Sequence, residues 1–249
     1  MSAEGVVDWS RFRAVLFDLD GVLTPTAVVH MRAWSEMFNT FLAEHRAGES
    51  SAAGSTASDT SPYTDADYFA HVDGKPRYDG VRDFLTSRGI RLSEEGVRSL
   101  GDRKNAAFQE VLDRDGVAPY PGSVALLDHL RELGIPLAVV SSSANAVAVL
   151  EAAGLSDRFV IVVDGVVART ASLRGKPEPD TFLHAAVALG VTAQDAVVVE
   201  DAVSGVRAGV AGGFGLVVGV DRGAGDALRE AGAGVTVVDL ADLIPGGLP

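Results

Sequence analysis

Short apolar runs punctuate the chain, each bounded by turn-forming residues. They are Ala14–Phe17, Leu137–Val140, Val160–Val163, Ala196–Val199, Leu216–Val220 and Val235–Val238. They are brief, rich in β-branched residues and apolar on both faces, which predicts strands of a parallel sheet covered by helices. Helical periodicity lies between them. Ser123–Leu133 sets Leu126, Leu127, Leu130 and Leu133 on one face, and Asn145–Ala153 and Asp180–Leu189 are also helical in pattern. Gly134, Gly154 and Gly190 follow these stretches, where a left-handed C-cap favours glycine. Strands alternating with helices predict an α/β, doubly wound, Rossmann-like parallel-sheet core.

From Thr26 to Val117 the pattern changes. Helical stretches over Val28–His45, Gly80–Ser87 and Ser93–Asp113 are joined without any buried-strand run. This predicts a mostly helical domain, residues 26–117, inserted after the first strand, with the α/β core formed by 1–25 and 118–249. Within the insert, Gly48–Ser61 is rich in Gly, Ser, Ala and Thr. Such a composition buries too little apolar area to order itself, so a mobile loop is expected there.

Composition narrows the setting. The 249 residues include 21 Lys and Arg against 34 Asp and Glu, a formal net charge of −13. An anionic surface works against non-specific binding to nucleic acid or anionic lipid, and neither is expected as a partner. A phosphorylated ligand must then meet a local cluster of cations. The absence of cysteine rules out a disulfide scaffold, a thiol nucleophile and a Cys-ligated zinc site. The opening residues lack the basic and apolar regions of a signal peptide, and no run approaches the ~18 apolar residues of a membrane helix. A cytoplasmic monomer is the expectation.

Ligands of open α/β sheets bind beyond the carboxyl ends of the strands. There the chain places Asp18-Leu19-Asp20-Gly21, then Ser141-Ser142-Ser143, then, after a longer loop, Gly175-Lys176-Pro177, and finally Glu200-Asp201. Four carboxylates on one rim repel one another unless a cation sits among them. Mg2+ takes oxygen ligands and is commonly held by one or two carboxylates plus substrate phosphate. Asp18 and Asp201 are the expected direct ligands, Glu200 a ligand or a neighbour of one, and Asp20 a ligand through its backbone carbonyl. An Asp carboxylate can attack phosphorus covalently, and a nearby ammonium would neutralise the approach. Asp18 is the expected nucleophile, Lys176 the ammonium and Asp20 the general acid and base. Ser141 and the backbone N–H groups of Ser142 and Ser143 are expected to open a helix whose N-terminus cradles phosphate. Simpler readings stand beside these: Glu200 and Asp201 as helix N-caps, Ser142 and Ser143 as turn residues, Lys176 as a solvated loop lysine.

These motifs, in this order, resemble the four ordered motifs of the haloacid dehalogenase-like (HAD) phosphotransferases, over about Arg13–Gly223. The inserted helical domain resembles their C1-type cap. Within that superfamily, the opening FDLDGVLT with Thr26, His30 and Arg32-Ala33-Trp34, the cap stretch Arg103-Lys104-Asn105, and Tyr120-Pro121-Gly122 resemble the β-phosphoglucomutase group. The resemblance implies that Asp18 is phosphorylated, that Asp20 shuttles a proton to and from a sugar hydroxyl, and that Mg2+ is the cofactor. It further implies that Lys104 faces the site, that Thr26 and His30 bind the substrate, His30 orienting the proton shuttle, and that Arg77, Ser143 and Asn145 hold the distal phosphate. The substrate implied is a small phosphorylated sugar, with β-glucose 1-phosphate and glucose 6-phosphate interconverted. Ala144 departs from the group, which carries Lys between its Ser and Asn, so Lys75 or Arg77 would have to compensate. Pro25 stands where many members carry Asp.

A phosphatase of the same family, acting on a sugar or polyol phosphate, is the alternative. A catalytically silent binding module is disfavoured because Asp18, Asp20 and Lys176 are all present, and a haloalkanoate dehalogenase because it needs neither Asp20 nor the metal site.

Overall fold

Ala14–Phe17, apolar at every position, forms strand β1, and the chain alternates from there between helices and further strands. A computed structural model describes residues 7–49 and 58–246. After β1 come helices α1 (Thr26–Glu49), α2 (Asp65–His71), α3 (Arg77–Ser87), α4 (Glu94–Asp115) and α5 (Pro121–Glu132). Strand β2 (Leu137–Val140) is followed by α6 (Ala146–Ala152), β3 (Ile161–Val163), α7 (Gly165–Thr170) and α8 (Asp180–Ala188). Strand β4 (Ala196–Glu200), α9 (Val203–Ala211), β5 (Leu216–Val220), α10 (Ala227–Glu230) and β6 (Val235–Val237) complete the order.

The six strands form one parallel sheet in the order β3-β2-β1-β4-β5-β6. The chain works outward from β1 on one side and then returns to the other side with β4. The order therefore reverses between β1 and β4, where open α/β sheets take their ligands. Their register pairs Phe17 with Val199, so the residues after each strand emerge side by side. Both strands are fully buried, as the unbroken apolar runs predict, and Phe182 of α8 and Val206 of α9 pack into the same core.

The chain divides into two compact units, Met1–Thr26 with Gly116–Pro249, and Ala27–Asp115. The second holds only helices among its described residues, around a core that includes Trp34, Phe38, Tyr63 and Phe84. The chain is thus a parallel six-stranded α/β fold with a helical insert after β1. Among the described residues, no helix is long and apolar enough to cross a membrane.

Three expectations are corrected. Helix α6 starts at Ala146 with Asn145 at its N-cap, so Ser142 and Ser143 lie in a loop and do not open a helix. The reason is local: the Ser141 hydroxyl accepts the Ser143 N–H (3.0 Å) and the Ser143 hydroxyl accepts the Asn145 N–H (3.1 Å), which turns the backbone ahead of the helix. Val160 is exposed and falls outside β3. Of the stretch 48–61, expected to be mobile, residues 50–57 lie outside the described residues. Helix α1 runs to Glu49, and Asp59 and Ser61 are bound by the buried Arg88, so the described ends of that stretch are anchored.

Candidate active site

Asp18 is the first residue beyond β1, and its backbone N–H still reaches across to the carbonyl of Val199 on β4 (2.9 Å). This continuation of the sheet ladder fixes where its carboxylate emerges. Glu200 is the last residue of β4 and Asp201 follows it. One carboxylate oxygen from each of Asp18, Glu200 and Asp201 can be chosen so that all lie within 4.8 Å of one another. Lys176, in the loop ahead of α8, reaches into the same place. Its Nζ lies 2.5 Å from Asp18 Oδ1 and 2.5 Å from Glu200 Oε1, and donates to the Val140 carbonyl at 3.0 Å. The ammonium also lies 5.0 Å from the centre of the Phe182 ring.

Charge in this setting is expensive. Asp18, Lys176 and Glu200 are 7%, 3% and 1% exposed. Burial pushes the Asp18 carboxyl up to about 8, against the pull of Lys176, and the charges of Glu200 and Asp20 add to the rise. For Lys176, burial opposes the charged form, but the adjacent Asp18 and Glu200 outweigh it and hold the ammonium above its ordinary range. The two rises differ in cause: burial raises Asp18 against the pull of Lys176, whereas the two adjacent carboxylates raise Lys176 against burial.

Glu200 is engaged on both oxygens. Oε1 faces Lys176, and Oε2 accepts the backbone N–H groups of Asp201 and Ala202 (both 3.0 Å). It therefore tethers the ammonium and shapes the turn that presents Asp201. Sequence reasoning assigned Glu200 to the metal and missed this pairing, which no local pattern encodes.

The turn after Asp18 is tightly specified. Gly21 has φ +90°, its N–H donates to Thr24 O (2.7 Å), and a Cβ there would fall on the Asp201 carboxylate. Only glycine lets the two acidic segments approach this closely. The Thr26 hydroxyl donates to Asp20 Oδ1 and lies 2.7 Å from the Thr24 hydroxyl. Thr26 thus lies beside Asp20, a contact that the sequence did not point to. The Asp20 carboxylate is not among the clustered oxygens. Arg222, beyond β5, was not singled out from the sequence; its Nε donates to Gly21 O at 2.7 Å.

A divalent cation fits the donor set. The clustered groups are all carboxylates, hard oxygen donors that suit Mg2+, and with their acids ionised they outnumber the one lysine among them.

In the helical unit, Lys104 and His30 meet side chain to side chain, through Nζ and Nδ1. Lys104 is 3% exposed and lies near the Trp34 and Phe108 rings, and His30 stacks on Phe108 with ring centres 4.0 Å apart. Arg77 opens α3 and donates to Asn105 Oδ1 of α4 at 2.6 Å. Lys75, one of the two cations expected to compensate for Ala144, pairs with Asp83, which leaves Arg77 as the other candidate. In the core unit, Ser141, Ser142, Ser143 and Asn145 share the loop after β2, with the Ser141 and Ser143 hydroxyls turned onto backbone N–H groups as described.

The fold and this rim define a class, and comparison with known proteins gives it a name. Residues 12–213 match the haloacid dehalogenase-like hydrolase family, and the chain belongs to that family of enzymes. A β-phosphoglucomutase of Mycobacterium bovis is 47% identical over 250 residues, spanning 94% of this chain and 92% of that protein. Hexitol phosphatase A of Escherichia coli is 33% identical over 205 residues, 82% of this chain and 81% of that one. Among solved structures, a β-phosphoglucomutase from Clostridium difficile superposes with a TM-score of 0.75 at 25% identity, covering 94% and 93% of the two chains.

Proposed function

We propose that the protein is a Mg2+-dependent phosphotransferase that works through an aspartyl-phosphate on Asp18 and interconverts β-glucose 1-phosphate and glucose 6-phosphate. The observation that carries this reading is the 2.5 Å approach of Lys176 to Asp18 beside the Asp201 carboxylate. The identity to the M. bovis β-phosphoglucomutase supports the choice of sugar phosphate.

In this reading an Asp18 oxygen attacks phosphorus, and the bond from phosphorus to the sugar oxygen breaks. Asp20 delivers a proton to that leaving oxygen. In the return step a sugar hydroxyl attacks the phosphoryl group on Asp18, gives its proton back to Asp20 and frees the Asp18 carboxylate. Lys176 neutralises the nucleophile and the phosphoryl oxygens, and Ser141 offers a hydroxyl to them. Thr26 orients Asp20 through the hydrogen bond between them. Asp18, Asp201 and the Asp20 backbone carbonyl would hold Mg2+, with Glu200 adjacent. The ion would offset the repulsion between an anionic nucleophile and an anionic phosphoryl group.

We read the helical unit as the cap domain and Arg77 in it as a substrate-binding residue for a phosphate, and in the core unit we read Ser142, Ser143 and Asn145 as substrate-binding residues. His30 and Lys104 would then meet the sugar as a pair. The protein is read as a cytoplasmic monomer.

A phosphatase acting on a sugar or polyol phosphate is the second reading. It is favoured by the similarity to hexitol phosphatase A and by the neutral Ala144 with Lys75 held on Asp83. Phosphorus NMR separates the two. With Mg2+, β-glucose 1-phosphate and a trace of the 1,6-bisphosphate, a glucose 6-phosphate signal is expected. Growth of inorganic phosphate alone would establish the phosphatase, and neither signal would refute both readings.

A further inference from the structure

Arg222 joins three separate segments of the core unit. Its Nε donates to Gly21 O (2.7 Å), its Nη1 donates to Val238 O (3.0 Å), and its guanidinium lies 4.0 Å from the centre of the Tyr120 ring. Tyr120 in turn donates its N–H to Leu23 O (2.9 Å), and the Ser123 hydroxyl donates to Val22 O (2.7 Å). The turn that follows Asp20 is therefore held from outside at Gly21, Val22 and Leu23.

Gly21 matters most among these. Its N–H is bonded to Thr24 O within the turn, so Arg222 holds the opposite end of the same residue, at a φ of +90°. Asp20 is one bond away from that residue, and the Asp201 carboxylate packs against its Cα. A cationic donor on a carbonyl makes a stronger bond than a neutral one. A planar fork can also serve two carbonyls while stacking on a ring, which a lysine cannot do.

We infer that Arg222 is a positioning residue for phosphoryl transfer: by clamping the Gly21 carbonyl it sets the aim of the Asp20 carboxylate, and so governs proton delivery to the sugar oxygen. This rests on the proposed function, in which Asp20 is the proton shuttle. It has a signature that a general loss of stability lacks. Phosphorylation of Asp18 by a donor whose leaving group needs no proton should be nearly indifferent to Arg222, whereas phosphoryl transfer from and to a sugar should not.

The test compares Arg222→Met, which keeps an apolar stem near Tyr120 but removes both donors, with Arg222→Lys. For each, β-glucose 1-phosphate turnover (with Mg2+ and trace 1,6-bisphosphate) is measured beside the single-turnover phosphorylation of Asp18 by acetyl phosphate, a half-reaction in which acetate leaves unprotonated and Asp20 moves no proton. We expect Arg222→Met to lose ~10- to 100-fold in sugar phosphate turnover, the scale of a misaimed catalytic group. The rate of Asp18 phosphorylation by acetyl phosphate should change by less than about 3-fold, in keeping with a leaving group that draws nothing from general acid catalysis. Arg222→Lys should recover part of the sugar-specific loss. Equal losses on both substrates, or none on either, would overturn the proposal. If the Met variant does not fold, the same ratio is read from the Lys variant. Wild-type protein that turns over neither substrate would instead remove the function on which the proposal rests.

Discussion

Lys176 Nζ lies 2.5 Å from the Oδ1 atom of Asp18, and both groups are almost wholly buried. The residues are far apart in the chain, and the pairing exists because β1 and the loop before α8 deliver them to one rim. Burial has pushed the Asp18 carboxyl from an ordinary 3.8 up to about 8, so at neutral pH the metal-free folded state retains a proton there that the unfolded chain would release, at the expense of folding stability.

Asp18→Asn should therefore abolish turnover without weakening the metal-free fold. At least a ~1,000-fold loss is expected when a covalent nucleophile is removed. The stability sign follows from the raised value. In metal-free wild type, the contribution of Asp18 is fully present below its unfolded value near 3.8 and is lost as pH rises through about 8. The Asn variant lacks that loss. In EDTA, its melting temperature relative to wild type should rise between pH 5 and pH 8; a flat or falling difference would contradict the assignment.

Lys176→Met makes the opposite demand. It leaves the Asp18 and Glu200 carboxylates buried close together without the ammonium that both approach. Stability should fall by ~3–5 kcal/mol, the usual result of removing one partner from a buried ion pair. Urea unfolding at pH 7 measures this. The loss should shrink on acidification, as the remaining acids take up protons, and phosphoryl transfer should be lost.

Within the helical unit, Arg88 is buried and donates to Asp59, to the hydroxyl and carbonyl of Ser61, and to Asp67. Burial works to raise the Asp67 carboxyl, but the Thr64 hydroxyl, the Thr64 backbone N–H and Arg88 together hold it below its ordinary 3.8. The contribution of Asp67 is thus present above that value and is lost as pH falls through the lowered one. Arg88→Met should cost ~2–4 kcal/mol at pH 7, as expected for a buried, multiply bonded charge. The difference from wild type should narrow as the pH falls below 3.8, which paired urea titrations at pH 7 and pH 3 would show.

The sequence made part of this arrangement legible. Runs such as Ala196–Val199 are apolar on both faces, and burial from both sides is the property that makes a strand central in a parallel sheet. Once the strands were read, the rule that ligands sit beyond their carboxyl ends selected Asp18, Lys176, Glu200 and Asp201, which the fold brings together. What stayed hidden were long-range choices of partner. Glu200 spends its oxygens on Lys176 and two backbone N–H groups, Lys75 is taken by Asp83, and Arg222 reaches the Gly21 carbonyl. None of these is written in spacing. A strand-end rule applied to β5 would have drawn attention to Asp221-Arg222. The start of α6 was missed because two serine hydroxyls bond to backbone N–H groups and delay the helix to Ala146. The extent of α1, to Glu49, was missed because composition suggested a loop there.

Gly205→Ala sets two effects against each other. Gly205 lies in α9, where replacing an interior glycine by alanine ordinarily stabilises a helix by ~1 kcal/mol. Here, however, the new Cβ would fall on the Glu200 carboxylate. That carboxylate is 1% exposed and binds Lys176 and the N–H groups of Asp201 and Ala202, so it cannot move aside without breaking those bonds. Disrupting a buried, bonded carboxylate costs ~3 kcal/mol or more, which exceeds the helical gain. The substitution should lower the melting temperature and also reduce phosphoryl transfer, because Lys176 and Asp201 are displaced together. Pairing it with Glu200→Ala, which removes the overlapping atoms, tests the cause. If the overlap with this side chain decides the outcome, the two substitutions should be strongly non-additive in unfolding free energy, whereas additivity would place the cost elsewhere in α9.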